Sequence, residues 1–186
     1  MKKIKLLILS AIIMILISGC ASKDVKLVVE KCFNQYQAGN ILGAEKFITD
    51  IPKGENMMGL KQEDLVLYSK AFSKLEYNIS DISVSDDKAD VSINLKVKNL
   101  SEVNGKLIDE IFRLAMVDNK SGWDIEAEMP LLYERFLDDA GMIEENISIN
   151  LEKIDNEWKI KSSMDLKNAL TGGLYSDYWV EKEAVD

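Results

Sequence analysis

The sequence predicts an α+β domain in which three helices come first and pack on an antiparallel sheet, with a helical insertion between two β-hairpins. The hydrophobic spacing carries this prediction, because its period is about 3.6 residues over 24–74 and about 2 residues over 75–99. The same change recurs later, where helical spacing over 101–141 gives way to alternation over 147–160. Helices and strands that are grouped in this way are typical of the α+β class.

The first helix is predicted over residues 24–38. Its apolar face follows the i, i+3, i+4 and i+7 spacing of an amphipathic helix and comprises Val25, Val28, Val29, Cys32, Phe33 and Tyr36. Gly39-Asn40 is a stop signal for this helix. A short second helix is predicted with the inward residues Ile41, Ala44, Phe47 and Ile48, and a third from about Gln62 to Lys74 with the inward residues Leu65, Tyr68, Phe72 and Leu75.

Two hairpins are predicted from alternating apolar residues. The first joins residues 75–84 to a strictly alternating strand, 89–97, and a register slip at Ser80-Asp81 indicates a β-bulge. The second hairpin turns at Asp155–Glu157 and places Trp158 on the last strand. A short helix over Leu166–Leu170 follows this strand.

The insertion 101–141 has large apolar side chains on two helical segments. The inward stripes are predicted to comprise Val103, Leu107, Ile111, Leu114 and Ala115 on the first segment, and Ile125, Met129, Leu132, Phe136 and Ala140 on the second. Leu131 and Tyr133 lie off these stripes and are expected to be exposed. Two interpretations stay open, namely an exposed apolar surface that binds a partner and a two-sided helix buried under the sheet.

The first 19 residues are predicted to be a signal peptide. A basic start, Met1–Lys5, precedes thirteen uncharged residues, Leu6–Ser18, and this run is shorter than the about 17–25 apolar residues of a membrane-spanning helix. The run ends in Ile17-Ser18-Gly19-Cys20, which resembles the lipobox of bacterial lipoproteins. That resemblance implies cleavage before Cys20 and a diacylglyceryl group on its thiol, with palmitate among the fatty acids that hold the protein on the extracytoplasmic face of the cell membrane. The alternative is an ordinary secretory signal that is cut near Ala21.

The mature chain is predicted to comprise a lipidated tether, 20–23, a single α+β domain, 24–174, and an acidic tail, 175–186. Removal of Lys2, Lys3 and Lys5 with the signal changes the formal net charge from −9 to −12. An acidic domain is repelled by polyanions, so no nucleic-acid partner is expected. The expected partners are the membrane, through the anchor on Cys20, and an envelope protein, a peptide or a small apolar ligand.

The composition excludes several kinds of chemistry. The sequence has no histidine, which excludes Ser-His-Asp and Cys-His catalysis and histidine-ligated metal sites. With Cys20 lipidated, Cys32 has no disulfide partner and is predicted to be a buried apolar residue. The acidic pairs Asp86-Asp87, Asp138-Asp139 and Glu144-Glu145 lack the spacing and glycine of calcium loops. We therefore expect no metal, no cofactor and no enzymatic activity.

The element order resembles that of small lipoproteins of low-GC Gram-positive bacteria built on the cone-shaped fold named after nuclear transport factor two. The resemblance is carried by the opening helix 24–38, the hairpin 75–99, the closing segment Asp155–Ile160 and the tail Asn168–Leu174. It implies helices packed on a curved antiparallel sheet, and it implies no established activity. The helical stretch 101–141 departs from the simple cone fold, in which strands follow each other more directly.

Cone folds of this type often hold a pocket between the helices and the sheet. The resemblance therefore makes Tyr36, Tyr68, Tyr77 and Trp158 candidate pocket residues. Some enzymes on this fold use an aspartate base with a tyrosine or a protonated acid in such a pocket. The three tyrosines also occupy apolar-stripe positions, for which core packing is the simpler interpretation. The sequence favours a non-enzymatic binding or accessory domain, with an enzyme based on carboxylate and tyrosine side chains as the alternative.

Overall fold

The computed structural model of the protein describes residues 21–117 and 125–176. The predicted signal peptide, Cys20, Gly122 and residues 177–186 of the predicted tail lie outside these described residues. Helix α1 spans residues 21–37, so residues 21–23, which were predicted to be a tether, are already helical. The further elements are, in chain order, α2 (Ile41–Ala44), a 3-10 turn (Glu45–Phe47), β1 (Ile48–Thr49), α3 (Gln62–Phe72), β2 (Glu76–Ser85), β3 (Lys88–Lys98), α4 (Leu100–Val117), α5 (Ile125–Asp139), β4 (Met142–Ile154), β5 (Glu157–Lys161) and α6 (Met164–Leu170).

The five described strands form one sheet in the order β1-β5-β4-β3-β2. The pairs from β2 to β5 are antiparallel, and the predicted α+β class with an insertion between two hairpins is confirmed. The prediction for Ile48 was wrong in one respect, because Ile48 is extended and pairs in parallel with Ile160 instead of lying on the second helix. Its side chain is nevertheless buried, and apolar spacing in so short a segment does not separate a helix from a strand.

The first hairpin has the predicted geometry. Its register shifts between Ile79 and Asp81, which confirms the β-bulge at the position that the sequence indicated. On β3 the alternating side chains all face the core, and these are Ala89, Val91, Ile93, Leu95 and Val97. The second hairpin turns through Asp155 and Asn156 at φ 49° and 66°, values that Asp and Asn tolerate better than most residues.

The main core lies between the helices α1, α3 and α6 and one face of the sheet. Among its buried side chains are Val25, Val29, Cys32, Phe33, Tyr36, Phe72, Ile93, Leu95, Ile149, Ile160, Leu166 and Leu170. Cys32 is 1% exposed, in agreement with its predicted role as a small apolar residue. The interior between helices and sheet is therefore filled by side chains of both layers.

Helices α4 and α5 form a helical hairpin that contacts the rest of the domain through its base. The base is a second apolar cluster of Ala71, Leu100, Val103, Leu107, Leu132, Tyr133, Leu137 and Ala140. Because these residues come from the first half of α4 and the second half of α5, the two helices run antiparallel, and Arg135 of α5 lies 3.5 Å from Glu110 of α4. Ala115, predicted to face inward, is exposed because it lies beyond this base.

The two ends of the sheet carry different elements. At one end, the turn end, both hairpin turns lie side by side, since the Lys153 amide donates to the Asp87 carbonyl at 2.9 Å. The start of α1 lies at this turn end, because Leu27 lines a groove together with Lys153. At the other end, the insertion end, the base of the helical hairpin is tied to β3, where the Asn99 amide donates to the Gly141 carbonyl at 3.1 Å.

The two ends are separated by the length of a long strand. Strand β3 connects the turn end to the insertion end and has 11 residues. At about 3.3 Å per residue it spans roughly 36 Å. Among the described residues, no helix is long and apolar enough to cross a membrane.

Candidate functional site

The three tyrosines that were predicted to line a pocket lie in one aromatic cluster. Tyr36 packs on Phe33 and Phe72, with ring centroids 6.3 and 5.2 Å apart. Tyr77 lies 5.1 Å from Phe33, and Tyr68 lies 6.4 Å from Phe72. The structure thus brings the three tyrosines together through two phenylalanines, as part of the packed interior between α1, α3 and β2.

Tyr36 is the most enclosed member of this cluster. Its side chain is fully buried, and within the described residues its hydroxyl has no hydrogen-bond partner. Burial raises the pKa of the hydroxyl well above its ordinary range, and the nearby Cys32 and Glu45 add to this. Tyr77 differs, because its hydroxyl donates to the Asn34 side-chain oxygen at 2.9 Å, although burial also raises its pKa.

Glu45 is a half-buried carboxylate beside this cluster that the sequence analysis missed. Burial raises its pKa, while the Met57 amide and the charge of Lys167 lower it. The Met57 amide donates to the Glu45 carboxylate at 2.7 Å, so the carboxylate ties the loop before α3 to the core. The signal was present in the sequence, since Glu45 directly follows the buried Ala44, but one acidic residue in a short apolar segment is not distinctive.

Trp158 lies away from the tyrosine cluster, at the turn end. It is buried on β5, and the Lys153 ammonium lies 5.9 Å from the centroid of its ring. It lines a groove of about 360 Å³ between α1 and the β4–β5 turn, which we call the α1–β5 groove. The lining comprises Asp24, Leu27, Val28, Lys31, Phe47, Lys153, Asn156, Glu157, Trp158 and Lys159. This groove is not visible in the sequence, because Lys31 lies more than 100 residues before Lys153 and Lys159.

A larger cleft of about 650 Å³ lies at the insertion end, between α3, α5 and the adjoining strands. Several of its charged groups have partners within the protein. Lys70 is paired with Glu134, and the Lys98 ammonium donates to the carbonyls of Asp138 and Ala140 at 3.3 and 2.7 Å. These contacts join α5 to α3 and β3. The cleft is therefore interpreted as a structural contact region that holds the helical hairpin against the rest of the domain.

The exposed face of α4 carries an apolar ridge, formed by Ile108, Phe112 and Met116. Their side chains are 45%, 59% and 79% exposed. A spacing of four residues places all three on one face of the helix. The neighbouring positions on this face are uncharged as well, and they are Ser101, Gly105 and Ala115.

Four charged side chains of α4 lie on a different side of the helix and are paired, whereas the exposed Asp109 borders the ridge. Lys106 contacts Glu102 at 2.7 Å. Glu110 accepts from Arg113 at 2.8 Å, and the guanidinium beside it lowers the pKa of its carboxyl. Apart from Asp109, the charges of α4 that lie near the ridge are therefore already compensated.

The prediction that Leu131 and Tyr133 are exposed was correct for one residue and wrong for the other. Leu131 is 67% exposed on α5. Tyr133 is buried, because it packs on Tyr68 of α3 with ring centroids 6.0 Å apart. The sequence pattern did not show that α5 contacts α3 as well as α4.

The acidic pairs are distributed over separate elements. Asp86-Asp87 forms a turn, Asp138-Asp139 ends α5, and Glu144-Glu145 lies on β4. Within 21–117 and 125–176, no three His, Cys, Asp or Glu side chains come together in a way that could hold a metal ion.

No protein-family model matches the sequence, and no curated protein matches it. Two solved structures are similar to this chain. One is an NTF-2-like protein of unknown function from Shewanella oneidensis MR-1, with 14% sequence identity and a TM-score of 0.41 over 75% of this chain and 93% of that chain. The other is a candidate lipoprotein, YcdA, from Bacillus subtilis, with 17% identity and a TM-score of 0.41 over 60% of this chain and 40% of that chain. This chain therefore spans less than half of that YcdA chain.

Proposed function

We propose that this protein is a lipid-anchored extracytoplasmic lipoprotein whose domain is a non-enzymatic binding module for another protein of the cell envelope. The anchor is the diacylglyceryl group on Cys20, and the partner docks on the apolar ridge of α4. The observation that carries the proposal is the exposure of Ile108, Phe112 and Met116 on one helix face. The lipobox sequence, which ends immediately before the described part of α1, supports the anchor.

The ridge suits a protein partner with an apolar, uncharged helix or peptide face. Burying a large apolar side chain contributes roughly 1.5–3 kcal/mol, so three ridge residues supply enough for a specific contact. Glu102 and Glu110 already have basic partners on α4, and Asp109 lies exposed at the edge of the ridge, where a bound partner can leave its carboxylate in contact with water. In helix-in-groove binding, apolar anchors on one face of a helix enter a groove of the partner, and the ridge presents three such side chains on one face of α4.

The position of the ridge supports a partner that is not the bilayer. The proposed anchor precedes α1 directly and so holds the turn end of the sheet against the membrane. The helical hairpin that carries the ridge is attached at the insertion end, roughly 36 Å away along β3. The ridge is therefore presented to the space beyond the membrane.

A second candidate function is an enzyme based on Glu45 and Tyr36. One observation favours it, since a half-buried carboxylate with a raised pKa lies beside a buried tyrosine. The hydrogen bond from the Met57 amide to Glu45 gives that carboxylate a structural role instead. The binding module is therefore our first proposal.

Site-specific photocrosslinking in intact cells tests the binding module. A photoreactive amino acid is placed at Ile108, Phe112 or Met116 in the full chain, with Leu131 and Val66, which are 67% and 64% exposed, as matched controls. We expect one protein adduct of the same size at the ridge positions, weakened by Phe112→Ser when the probe is at residue 116. Adducts that are equal at all five positions, that contain lipid, or that match a dimer of this chain would contradict the proposal.

A further inference from the structure

We propose that the α1–β5 groove binds the headgroups of anionic phospholipids, so that the domain rests on the bilayer to which Cys20 is anchored. This inference rests on the lipid anchor of the proposed function and adds a second membrane contact, made by the folded domain itself. It is carried by the charge of the groove, by the exposed apolar side chains beside it and by the position of the groove next to residue 20.

The groove is basic in a chain whose formal net charge is −9. Its lining includes Lys31, Lys153 and Lys159. Among the described residues, Lys31 and Lys153 have no carboxylate partner, and Lys159 is shared between Glu157 at 3.2 Å and the Lys46 carbonyl at 3.1 Å. Since Lys159 compensates Glu157, two free lysines face one remaining carboxylate in the groove, that of Asp24.

A cluster of this kind attracts phosphate groups at a membrane surface. Lysines near an anionic bilayer gain from its negative surface potential, while the acidic remainder of the domain is repelled from it. The lysines therefore favour an orientation with the α1–β5 groove toward the headgroups, against the repulsion of Asp86, Asp87 and Asp155 in the adjoining turns. Uncharged or purely zwitterionic lipid would give no such preference.

Exposed apolar side chains flank the lysines. Leu27 of α1 is 47% exposed and Ile154 at the end of β4 is 38% exposed. Leu27 lies in the groove with Trp158, and Ile154 is paired with Glu157 across the β4–β5 turn. Basic groups combined with apolar side chains and an aromatic ring suit the boundary between headgroups and acyl chains.

The position in the chain makes the contact reachable. Asp24, Leu27 and Lys31 lie in the first three described turns of α1, which the structure describes from residue 21 onward. At about 1.5 Å of rise per residue, they lie roughly 6–17 Å along the helix from position 20. The anchor therefore keeps the groove beside the membrane, and the second contact forms at a high effective concentration of lipid.

The test is fluorescence quenching of Trp158 in the complete mature lipoprotein. Trp123→Phe and Trp179→Phe leave Trp158 as the single tryptophan of the three in the sequence. The protein is reconstituted in vesicles of phosphatidylcholine, alone or mixed with phosphatidylglycerol, that contain a lipid with a spin label on its headgroup. The groove variant carries Lys31→Glu, Lys153→Glu and Lys159→Glu. The control variant carries Lys74→Glu, Lys96→Glu and Lys106→Glu outside the groove, which changes the net charge equally.

We expect quenching that is about twofold stronger in the anionic vesicles and that weakens as salt is added. Each lost lysine should weaken the groove–bilayer contact roughly fivefold, so the groove variant should lose the difference between the two vesicles and the control variant should keep it. Equal quenching in both vesicles, or an equal loss in both variants, would overturn the inference. So would an equal change of Trp158 fluorescence with glycerol phosphate in solution, which would assign the groove to a free phosphate compound.

Flotation of the same vesicles separates this inference from the proposed anchor. A protein that fails to float with either kind of vesicle has no anchor, and the proposed function fails with it. If the protein floats with both kinds of vesicle but its Trp158 does not respond to anionic lipid, the anchor is present. The proposal that the α1–β5 groove binds headgroups is then contradicted.

Discussion

At the scale of single residues, the buried hydroxyls of Tyr36 and Tyr133 are expected to lower the stability of the two cores. Within the described residues, the hydroxyls of Tyr36 and Tyr133 have no hydrogen-bond partner. A buried polar group without a partner costs about 1–3 kcal/mol. Both side chains pack through their rings, Tyr36 on Phe72 and Tyr133 on Tyr68. The packing therefore does not depend on the hydroxyls.

We therefore expect Tyr36→Phe to raise the free energy of unfolding by about 1 kcal/mol, because it removes an unpaired hydroxyl from the core. Urea denaturation of the purified domain measures this. The control is Tyr77→Phe, which loses the hydrogen bond to Asn34 and should lower the free energy of unfolding by up to about 1 kcal/mol. Destabilisation by Tyr36→Phe would mean that the hydroxyl has a partner and a role, as the enzyme alternative requires.

The pKa values of Glu45 and Glu110 are shifted in opposite directions, so the two carboxylates are expected to make folding stability depend on pH with opposite sign. Burial raises the pKa of Glu45 above its ordinary value of 4.5, so the folded state binds this proton more tightly than the unfolded state does. The stability that Glu45 contributes is fully present below pH 4.5 and is lost as pH rises through the folded pKa. Hydrogen bonding to Arg113 lowers the pKa of Glu110, whose contribution is present above pH 4.5 and is lost as pH falls through its folded pKa.

We expect Glu45→Gln to be more stable than the native chain at pH 7 and to lose this advantage below pH 4.5. Glu110→Gln should be less stable than the native chain at pH 7, with the difference shrinking as pH falls through the folded pKa of Glu110. Thermal unfolding between pH 3 and pH 7 compares the three chains. The same pH trend in both variants would show that the two carboxylates do not differ in their surroundings as described.

At the scale of secondary-structure elements, the helical hairpin α4–α5 depends on its base. Leu107 and Leu137 are 6% and 5% exposed in the cluster that joins the hairpin to Ala71 of α3. The part of α4 beyond the base contributes little to this packing, since Phe112 and Met116 are exposed. The hairpin is thus expected to open as a unit while the sheet stays folded.

Leu137→Ala should cost about 2–5 kcal/mol of local stability, because it leaves a cavity in the base. Hydrogen exchange should then show lost protection in α4 and α5 with protection retained in β3 and β4. Leu131→Ala, on the exposed side of α5, serves as the matched leucine and should change stability by less than about 0.5 kcal/mol. Equal loss of protection in the sheet would show that the hairpin is not an independent unit.

The ridge should affect binding without affecting folding. Ile108→Ser and Phe112→Ser each remove an exposed apolar side chain, so each should change the free energy of unfolding by less than about 0.5 kcal/mol. Binding to the partner identified by crosslinking should fall roughly 10- to 100-fold for Phe112→Ser. Isothermal titration with that partner measures the affinity. Unchanged affinity would remove the ridge from the interface.

The elements were largely predictable from sequence because their signals are local. The strict alternation over 89–97 and the stripe from Val25 to Tyr36 show which face is buried. Strand β1 was not predictable, because two residues carry no period and Ile48 is defined by its distant partner Ile160. The burial of Tyr133 was missed for the same reason, since it depends on the packing of α5 on α3.

The candidate sites were predictable only where their residues share an element. The ridge has a visible signal, a spacing of four residues from Ile108 to Met116, although the sequence does not say which apolar positions are exposed. The α1–β5 groove has no such signal, because Lys31 and Lys153 meet only through the tertiary fold. The tyrosine pocket implied by the family resemblance is occupied by the rings themselves.

At the scale of the whole molecule, the two ends of the domain have different proposed functions. The turn end carries the start of α1 and the basic groove, next to the proposed anchor at Cys20. The insertion end carries the helical hairpin and its apolar ridge. The long paired strands β2, β3 and β4 connect the two ends and fix their separation in the folded sheet.

The most direct test is energy transfer from a dye on the reconstituted lipoprotein to an acceptor on the lipid headgroups. Single cysteines are introduced as Asp87→Cys at the turn end and Met116→Cys on the ridge, both exposed, whereas the native Cys32 is buried. The account predicts efficient transfer from residue 87 and weak transfer from residue 116. Equal transfer from both positions, or stronger transfer from residue 116, would place the ridge at the membrane and contradict the account.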